Sequence, residues 1–300
     1  MSGSASVVVT GASRGLGLVT AAHLYRRGWR VVAAVRSPDA GLKRLRDLTG
    51  AVSDDPRLTA VRLDLDEPAL VVEAAAEIVA AVGAPDAIVH NAGVAAAGTV
   101  EELPAEAWER LFRTNLFGPV LLTKELLPPM RAAGRGRIVI LSSQGGIRGM
   151  ATVSAYAGAK AAVERWAEAL AAEIAPFGLG VTLLVPGAFT TEILEQTVSY
   201  ADPEGPYGAL TTPLEKRGRR AIRLAAPPER FAPAVERALR ERAPFARRAV
   251  GLDARVLLHA NRLLPARVMH RLMATAMGLP RPGSLRGTVH PPSGRPSISG

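Results

Sequence analysis

The chain has 300 residues, with 37 Lys and Arg against 27 Asp and Glu, five His and no cysteine, and a formal net charge of +10. The missing cysteines exclude disulfides and any thiolate-ligated metal centre, and no apolar run is long enough to cross a membrane as a helix. The charge is lopsided: residues 1–200 carry 19 basic and 20 acidic side chains and residues 201–300 carry 18 and 7, without the aromatic interleaving or recognition motif that would make the basic third a nucleic-acid surface.

Ser6-Val-Val-Val9 is a β-branched run and predicts a first strand. Thr10-Gly-Ala-Ser-Arg-Gly-Leu-Gly17 follows at once, then an apolar-periodic stretch through Leu18, Val19, Ala22 and Leu24. Strand, glycine turn and helix in that order form a dinucleotide-binding context. The glycines Gly11, Gly15 and Gly17 let backbone approach a pyrophosphate, and the N–H groups opening the helix face its charge. A second strand, Arg30–Val35, ends on Arg36 rather than on the acid that would bind ribose hydroxyls. With Arg14 inside the turn, two guanidiniums stand ready for a 2′-phosphate, which points to NADP(H); the bland reading makes both solvated surface arginines. Asp64, with Leu65 beside it, follows a third strand at Ala60–Leu63 and is placed to accept from an adenine amino group, or else to serve as a turn residue.

Further strands are expected at Ala87–Val89, Arg137–Leu141 and Gly180–Leu184. Strands alternating with helices predict an α/β fold, a Rossmann-like doubly wound parallel sheet with helices on both faces, in a single domain over residues 1–252. Ser154-Ala-Tyr-Ala-Gly-Ala-Lys160 reads as helix, so Tyr156 and Lys160 share one face a turn apart. An ammonium beside a phenol should lower its pKa and make it a proton-transfer group. Ser142 and Ser143 end an apolar run, and Ser143 lies thirteen residues before Tyr156, a spacing that favours it over Ser142 and Ser154 as the working serine. The five histidines show no metal spacing, and no metal site is expected.

These motifs together resemble the short-chain dehydrogenases/reductases with a core of about 250 residues, over roughly residues 5 to 250. The resemblance implies that Thr10, Gly11, Ser13, Arg14, Gly15, Leu16 and Gly17 form the cofactor loop. It implies that Asn91-Ala92-Gly93 stabilises the sheet near the adenosine, with His90 where the family carries a first Asn. Asn115 would hold a water for proton relay, and Ser143, Tyr156 and Lys160 would form the catalytic set. Pro186 and Gly187 open a turn whose Thr191, or Thr190, would bind the nicotinamide carboxamide. The expected activity is NADP(H)-dependent interconversion of a ketone or aldehyde and an alcohol. A catalytically silent NADP(H)-binding sensor or scaffold is disfavoured because Tyr156 and Lys160 are both kept. An epimerase or dehydratase is disfavoured by the Gly-x-x-x-Gly-x-Gly spacing.

The resemblance also implies a substrate flap at about 190–226. A helix at 228–242 and an edge strand at Arg247–Gly251 should follow, then an extension at 253–279 and a disordered tail at 280–300, rich in Pro, Gly and Ser. In the extension Asp253 can cap one helix, Pro265 can open another and Gly278 can close it. Leu264, Val268, Leu272, Met269, Met273 and Met277 predict one apolar stripe, with Arg262, Arg267 and Arg271 on other faces. The phrases Val250-Gly-Leu-Asp-Ala254 and Leu263-Leu-Pro-Ala-Arg267 resemble the tail of the hydroxysteroid- and retinol-dehydrogenase-like branch. The extension is then either cover for the core or a lid over an apolar pocket, with a peripheral membrane contact through its arginines. The first strand opens at residue 6, so no signal peptide is expected. The reading is a cytoplasmic homo-oligomer acting on a small, lipophilic carbonyl or alcohol.

Overall fold

The computed structural model describes residues 4–190, 197–223 and 225–286. A seven-stranded sheet of parallel strands runs in the order β3-β2-β1-β4-β6-β7-β9. The strands are β1 Ser6–Thr10, β2 Arg30–Val35, β3 Leu58–Arg62, β4 Ala87–His90, β6 Gly136–Leu141, β7 Leu179–Pro186 and β9 Phe245–Val250. Two two-residue strands, β5 Ala96–Ala97 and β8 Val198–Ser199, pair apart from it.

Each central strand is apolar on both sides, as a sheet with helices on both faces requires. Val8, Val32, Ile88, Ile138 and Leu183 pack one way, under α3 Pro68–Val82, α5 Gly118–Ala133 and α7 Ser154–Ile174. Val7, Val9, Val31, Val89 and Leu184 pack the other way with Leu24 of α1 Gly15–Arg26, Leu45 of α2 Pro38–Thr49 and Val235 of α9 Ala232–Leu239. The chain order reverses direction between β1 and β4, and the crevice beyond the carboxyl ends of those strands is where such sheets bind ligands.

The remaining helices are α4 Ala105–Phe112, the short α6 Gln144–Ile147, α8 Gly208–Arg223, α10 Leu252–Leu263 and α11 Ala266–Met277. Between α4 and α5 the chain widens into a π turn, Arg113–Phe117. The helix expected at 228–242 is shorter: a 3₁₀ turn at Pro228–Arg230 precedes α9, and Leu239 ends it. The single apolar stripe expected of the extension is divided. Met269 is buried, whereas Val268 and Leu272 are exposed. Of the tail, 282–286 form a turn, and 287–300 lie outside the described residues.

Candidate active site

The glycine turn is built around close backbone approaches. Gly11 and Gly15 take φ of +67° and +53°, where a side chain would strain the chain. A Cβ on Gly17 would stand 2.3 Å from the Gly11 carbonyl oxygen and 2.3 Å from the Asn91 amide nitrogen. Asn91 holds the turn from across the crevice. Its side-chain amide donates to the Thr10 and Gly11 carbonyls at 2.9 and 3.3 Å, while the Asn91 and Ala92 N–H groups donate to the Thr10 hydroxyl at 3.0 Å each. Helix α1 starts here with no acidic residue in its first turn, which leaves its N-terminal field open to an anion. Arg14 and Arg36 line the same cavity, and among the described residues neither guanidinium is paired with a carboxylate. The cradle fits a dinucleotide phosphate.

Tyr156 and Lys160 rise one turn apart from α7, as their spacing predicts. The Lys160 ammonium donates to the Leu141 carbonyl at 3.0 Å and lies 5.9 Å from the Tyr156 ring centroid. Burial pulls the Lys160 pKa down to about 8. Tyr156 departs from expectation: burial pushes its phenol up, and the pull back comes from a hydrogen bond with Ser143. Removing a phenolate from water costs more here than the Ser143 hydrogen bond returns. Ser143 sits at the N-cap of α6, where its hydroxyl accepts from the Gly145 N–H at 3.3 Å. Ser142 is committed elsewhere, donating to the buried Glu164 carboxylate at 2.7 Å, and Ser154 does not line the cavity. The serine facing the cavity beside Tyr156 is therefore Ser143.

Asn115 is buried in the π turn, and its side chain is wholly engaged with backbone. The amide donates to the Val94 and Leu111 carbonyls at 2.9 Å each and accepts from the Val94 N–H at 3.2 Å. Asn115 also crowds Gly93, whose Cβ would stand 2.6 Å from the Asn115 oxygen and 3.6 Å from the Lys160 nitrogen. His90, where the family carries Asn, bonds Thr123 at 2.7 Å and packs edge-on against Trp166, and burial lowers its pKa to about 3.

One cavity of about 730 Å³ joins the two ends of the site. Its wall includes Gly11, Ser13, Arg14, Gly15, Leu16 and Arg36 at the turn, and Asp64 and Leu65 after β3. Asn91, Ala92 and Gly93 lie in the middle; Ser143, Tyr156, Lys160, Pro186 and Gly187 close the far end. Thr10 and Gly17 support the turn from behind and, like Asn115, do not line the cavity. Thr191 lies outside the described residues, and the Thr190 N–H is bonded to the Ala226 carbonyl at 2.9 Å. Sequence reasoning missed Gln144, Thr152 and Arg110 in the wall, and Leu214, Arg217 and Ala276 beside Met277 of the expected stripe. Thr152 takes φ +68°, a left-handed conformation rare for a β-branched residue and of the kind that gathers at functional sites. No local signal in the sequence marks that strain.

A doubly wound sheet with a glycine-turn phosphate cradle at its switch point, opening into a Ser-Tyr-Lys wall, defines a nicotinamide-dependent oxidoreductase. The chain belongs to the short-chain dehydrogenase/reductase family: residues 5–201 match the short chain dehydrogenase family. It is 33% identical over 269 residues to the uncharacterized oxidoreductase YbbO of Escherichia coli, covering 89% of this chain and 93% of that one. It is 34% identical over 205 residues to a 3-ketodihydrosphingosine reductase of Bacteroides thetaiotaomicron, covering 65% and 71%. The crystal structure of a short-chain dehydrogenase from Streptomyces avermitilis superimposes with a TM-score of 0.76 at 33% identity, covering 93% of this chain and 97% of that one. Among the described residues no helix is long and apolar enough to cross a membrane, and no group of three or more His, Asp or Glu could hold a metal ion.

Proposed function

We propose that the protein is an NADP(H)-dependent oxidoreductase interconverting a lipophilic ketone or aldehyde and its alcohol. The observation that carries this reading is the single cavity that has the unpaired Arg14 and Arg36 at one end and Ser143, Tyr156 and Lys160 at the other. A bound reduced nicotinamide supplies the hydride. Ser143 donates a hydrogen bond to the substrate oxygen and stabilises the charge that develops there. Tyr156 gives that oxygen its proton, or takes it in the oxidative direction. A phenol is protonated at neutral pH, the state a reductase needs at the start of the step, and burial of Tyr156 pushes in the same direction. Lys160 anchors the strand end through Leu141 and holds the cofactor ribose, while Gly93 and Asn115 fix the turn beside it. Arg14 and Arg36 take the 2′-phosphate, and Asp64 and Leu65 take the adenine.

Residues 1–252 form the catalytic unit in this reading. In this reading the flap, through α8, and the extension, through α11, cover the substrate end, where Leu214, Ala276 and Met277 supply apolar wall. A relative named as a 3-ketodihydrosphingosine reductase supports a lipophilic substrate. Leu252 and Leu263 are 77% and 80% exposed, Val256, Val268 and Leu272 are also exposed, and Arg255, Arg262, Arg267 and Arg271 flank them. Apolar side chains ringed by guanidiniums suit a peripheral contact with an anionic lipid surface. Co-sedimentation with phosphatidylserine vesicles, weakened by salt, tests that contact.

The decisive experiment follows NADPH oxidation against aliphatic, steroidal and retinoid carbonyls. Turnover of none of them, with NADPH bound, would leave the sensor reading standing. NADPH should bind more tightly than NADH, by a margin that shrinks with salt. Arg36→Ala should cost about 1–3 kcal/mol against NADPH alone, as for a charge-assisted bond; titration by nucleotide fluorescence measures it, and equal affinity for the two cofactors in the wild type refutes the preference.

A further inference from the structure

The phrase Val250-Gly-Leu-Asp-Ala254 has a use beyond its helix. Asp253 lies in the first turn of α10, but its carboxylate bonds two other segments. One oxygen, Oδ2, accepts from the Ala188 backbone N–H at 2.7 Å and from the Gln144 side-chain amide at 2.6 Å. The surroundings are shaped to admit it. A Cβ on Gly187 would stand 2.0 Å from the Asp253 carboxylate and one on Gly251 would stand 2.7 Å away. Gly251 takes φ +108°, and the Gly187 N–H donates to the Val250 carbonyl at 2.8 Å. Gln144 follows Ser143 directly, and Ser143, Gln144, Gly187 and Ala188 all line the main cavity. One carboxylate oxygen therefore ties the serine wall of the cavity to the wall that follows β7, across sequence separations of 109 and 65 residues.

We infer that Asp253 is a positioning residue for the reaction, clamping the Ser143–Gln144 corner against the Gly187–Ala188 turn so that the C-terminal extension is part of the active site. The inference rests on the function proposed above. The chemistry selects a carboxylate: both partners are donors, and an ionised oxygen accepts two such bonds more strongly than a neutral one. An apolar side chain at 253 would hand the Ala188 N–H to water and free the Gln144 amide beside the reacting centre.

The test compares Asp253→Ala, Asp253→Asn and Gln144→Ala in the full-length protein, with rates normalised to NADPH sites counted by fluorescence titration. Asp253→Ala should lower kcat/KM for a carbonyl by about tenfold or more, the scale of a lost bond to a charged acceptor. Asp253→Asn keeps an oxygen in place and should recover most of it. Hydrogen exchange at the Ala188 amide, read by mass spectrometry on a peptide spanning 186–190, should accelerate in Asp253→Ala and not in Gln144→Ala. A wild-type kcat/KM per NADPH site in Asp253→Ala, or unchanged Ala188 exchange, overturns the clamp. If Asp253→Ala does not fold, Gln144→Ala stands in, and an unchanged kcat/KM there overturns it equally. If the wild-type enzyme reduces no carbonyl, the proposed function fails, and the exchange readout still decides the clamp.

Discussion

Tyr156 and Lys160 could be read as a pair because their geometry is local: four residues on a helix place two side chains on one face. Their electrostatics could not, because burial depends on everything packed around them. That is why the phenol's pKa rises where a neighbouring ammonium alone predicts a fall. Tyr156→Phe keeps the ring and removes the transferable proton, so turnover should drop by about 100-fold or more while NADPH binds as before; stopped-flow rates and a fluorescence titration check the two halves. Turnover within tenfold of wild type refutes Tyr156 as the acid. Lys160 gives a pH prediction. Its pKa falls from 10.5 to about 8 on folding, so between those values the unfolded chain holds a proton that the native protein has released. Stability contributed by this group therefore rises with pH across that window, and the burial cost is fully present below pH 8. Against Lys160→Met, which lacks the titration, the wild type should gain about 1.4 kcal/mol per pH unit from pH 8 to 10 in urea unfolding. A constant difference across that range refutes a depressed lysine.

At the scale of elements, the sheet was legible because a buried parallel strand is an unbroken apolar run, and all seven of its strands were expected within two residues at each end. What joins the elements was not. Glu164 continues the face of α7 that carries Tyr156 and Lys160, one turn further on, and it is 1% exposed. Its two oxygens accept from Ser142 at the end of β6, at 2.7 Å, and from Arg247 of β9, at 2.5 Å. Gly146 leaves the room, since a Cβ there would stand 2.4 Å from the Ser142 hydroxyl and 2.8 Å from the Glu164 carboxylate. In the sequence Glu164 is one more acid on a helix, and only its partners, 22 and 83 residues away, make it a buried junction. Glu164→Ala strands a largely buried guanidinium, and the loss should be about 3–5 kcal/mol. Denaturant unfolding measures it, and Glu164→Ala combined with Arg247→Met should recover a good part because the unpaired charge goes with its partner. A loss below about 1 kcal/mol would mean that water reaches the pair and screens it.

At the scale of the whole molecule, the extension is where local patterning said least. Its Leu and Met residues read as one stripe, but α11 divides them. Met269 is buried and Met277 lines the cavity, while Val268 and Leu272 face outward. Helical periodicity shows that a face is apolar and not what covers it, so one pattern served both an inner wall and an outer surface. Helix α8 reaches the same place from the other side: Leu214 and Arg217 line the cavity, and the Arg217 guanidinium donates to the Met277 carbonyl. Helices α8 and α11 thus meet at the cavity wall. Removing everything after Leu252 would not test a lid cleanly, because it also removes Asp253 and its bonds to Ala188 and Gln144. Ending the chain after Leu264 keeps α10 and the clamp while deleting α11, with Ala276 and Met277. If α11 is a lid, that truncation should raise KM for large lipophilic carbonyls several-fold more than for small ones, since flexible thioether and methyl surface moulds to bulky apolar ligands. NADPH affinity should hold, because the truncation leaves Arg14, Arg36 and the glycine turn in place. If α11 only covers the core, the melting temperature falls and every substrate loses rate in the same proportion. Steady-state kinetics on a chain-length series of ketones, with melting curves on the same samples, separates the two outcomes, and a proportional loss overturns the lid.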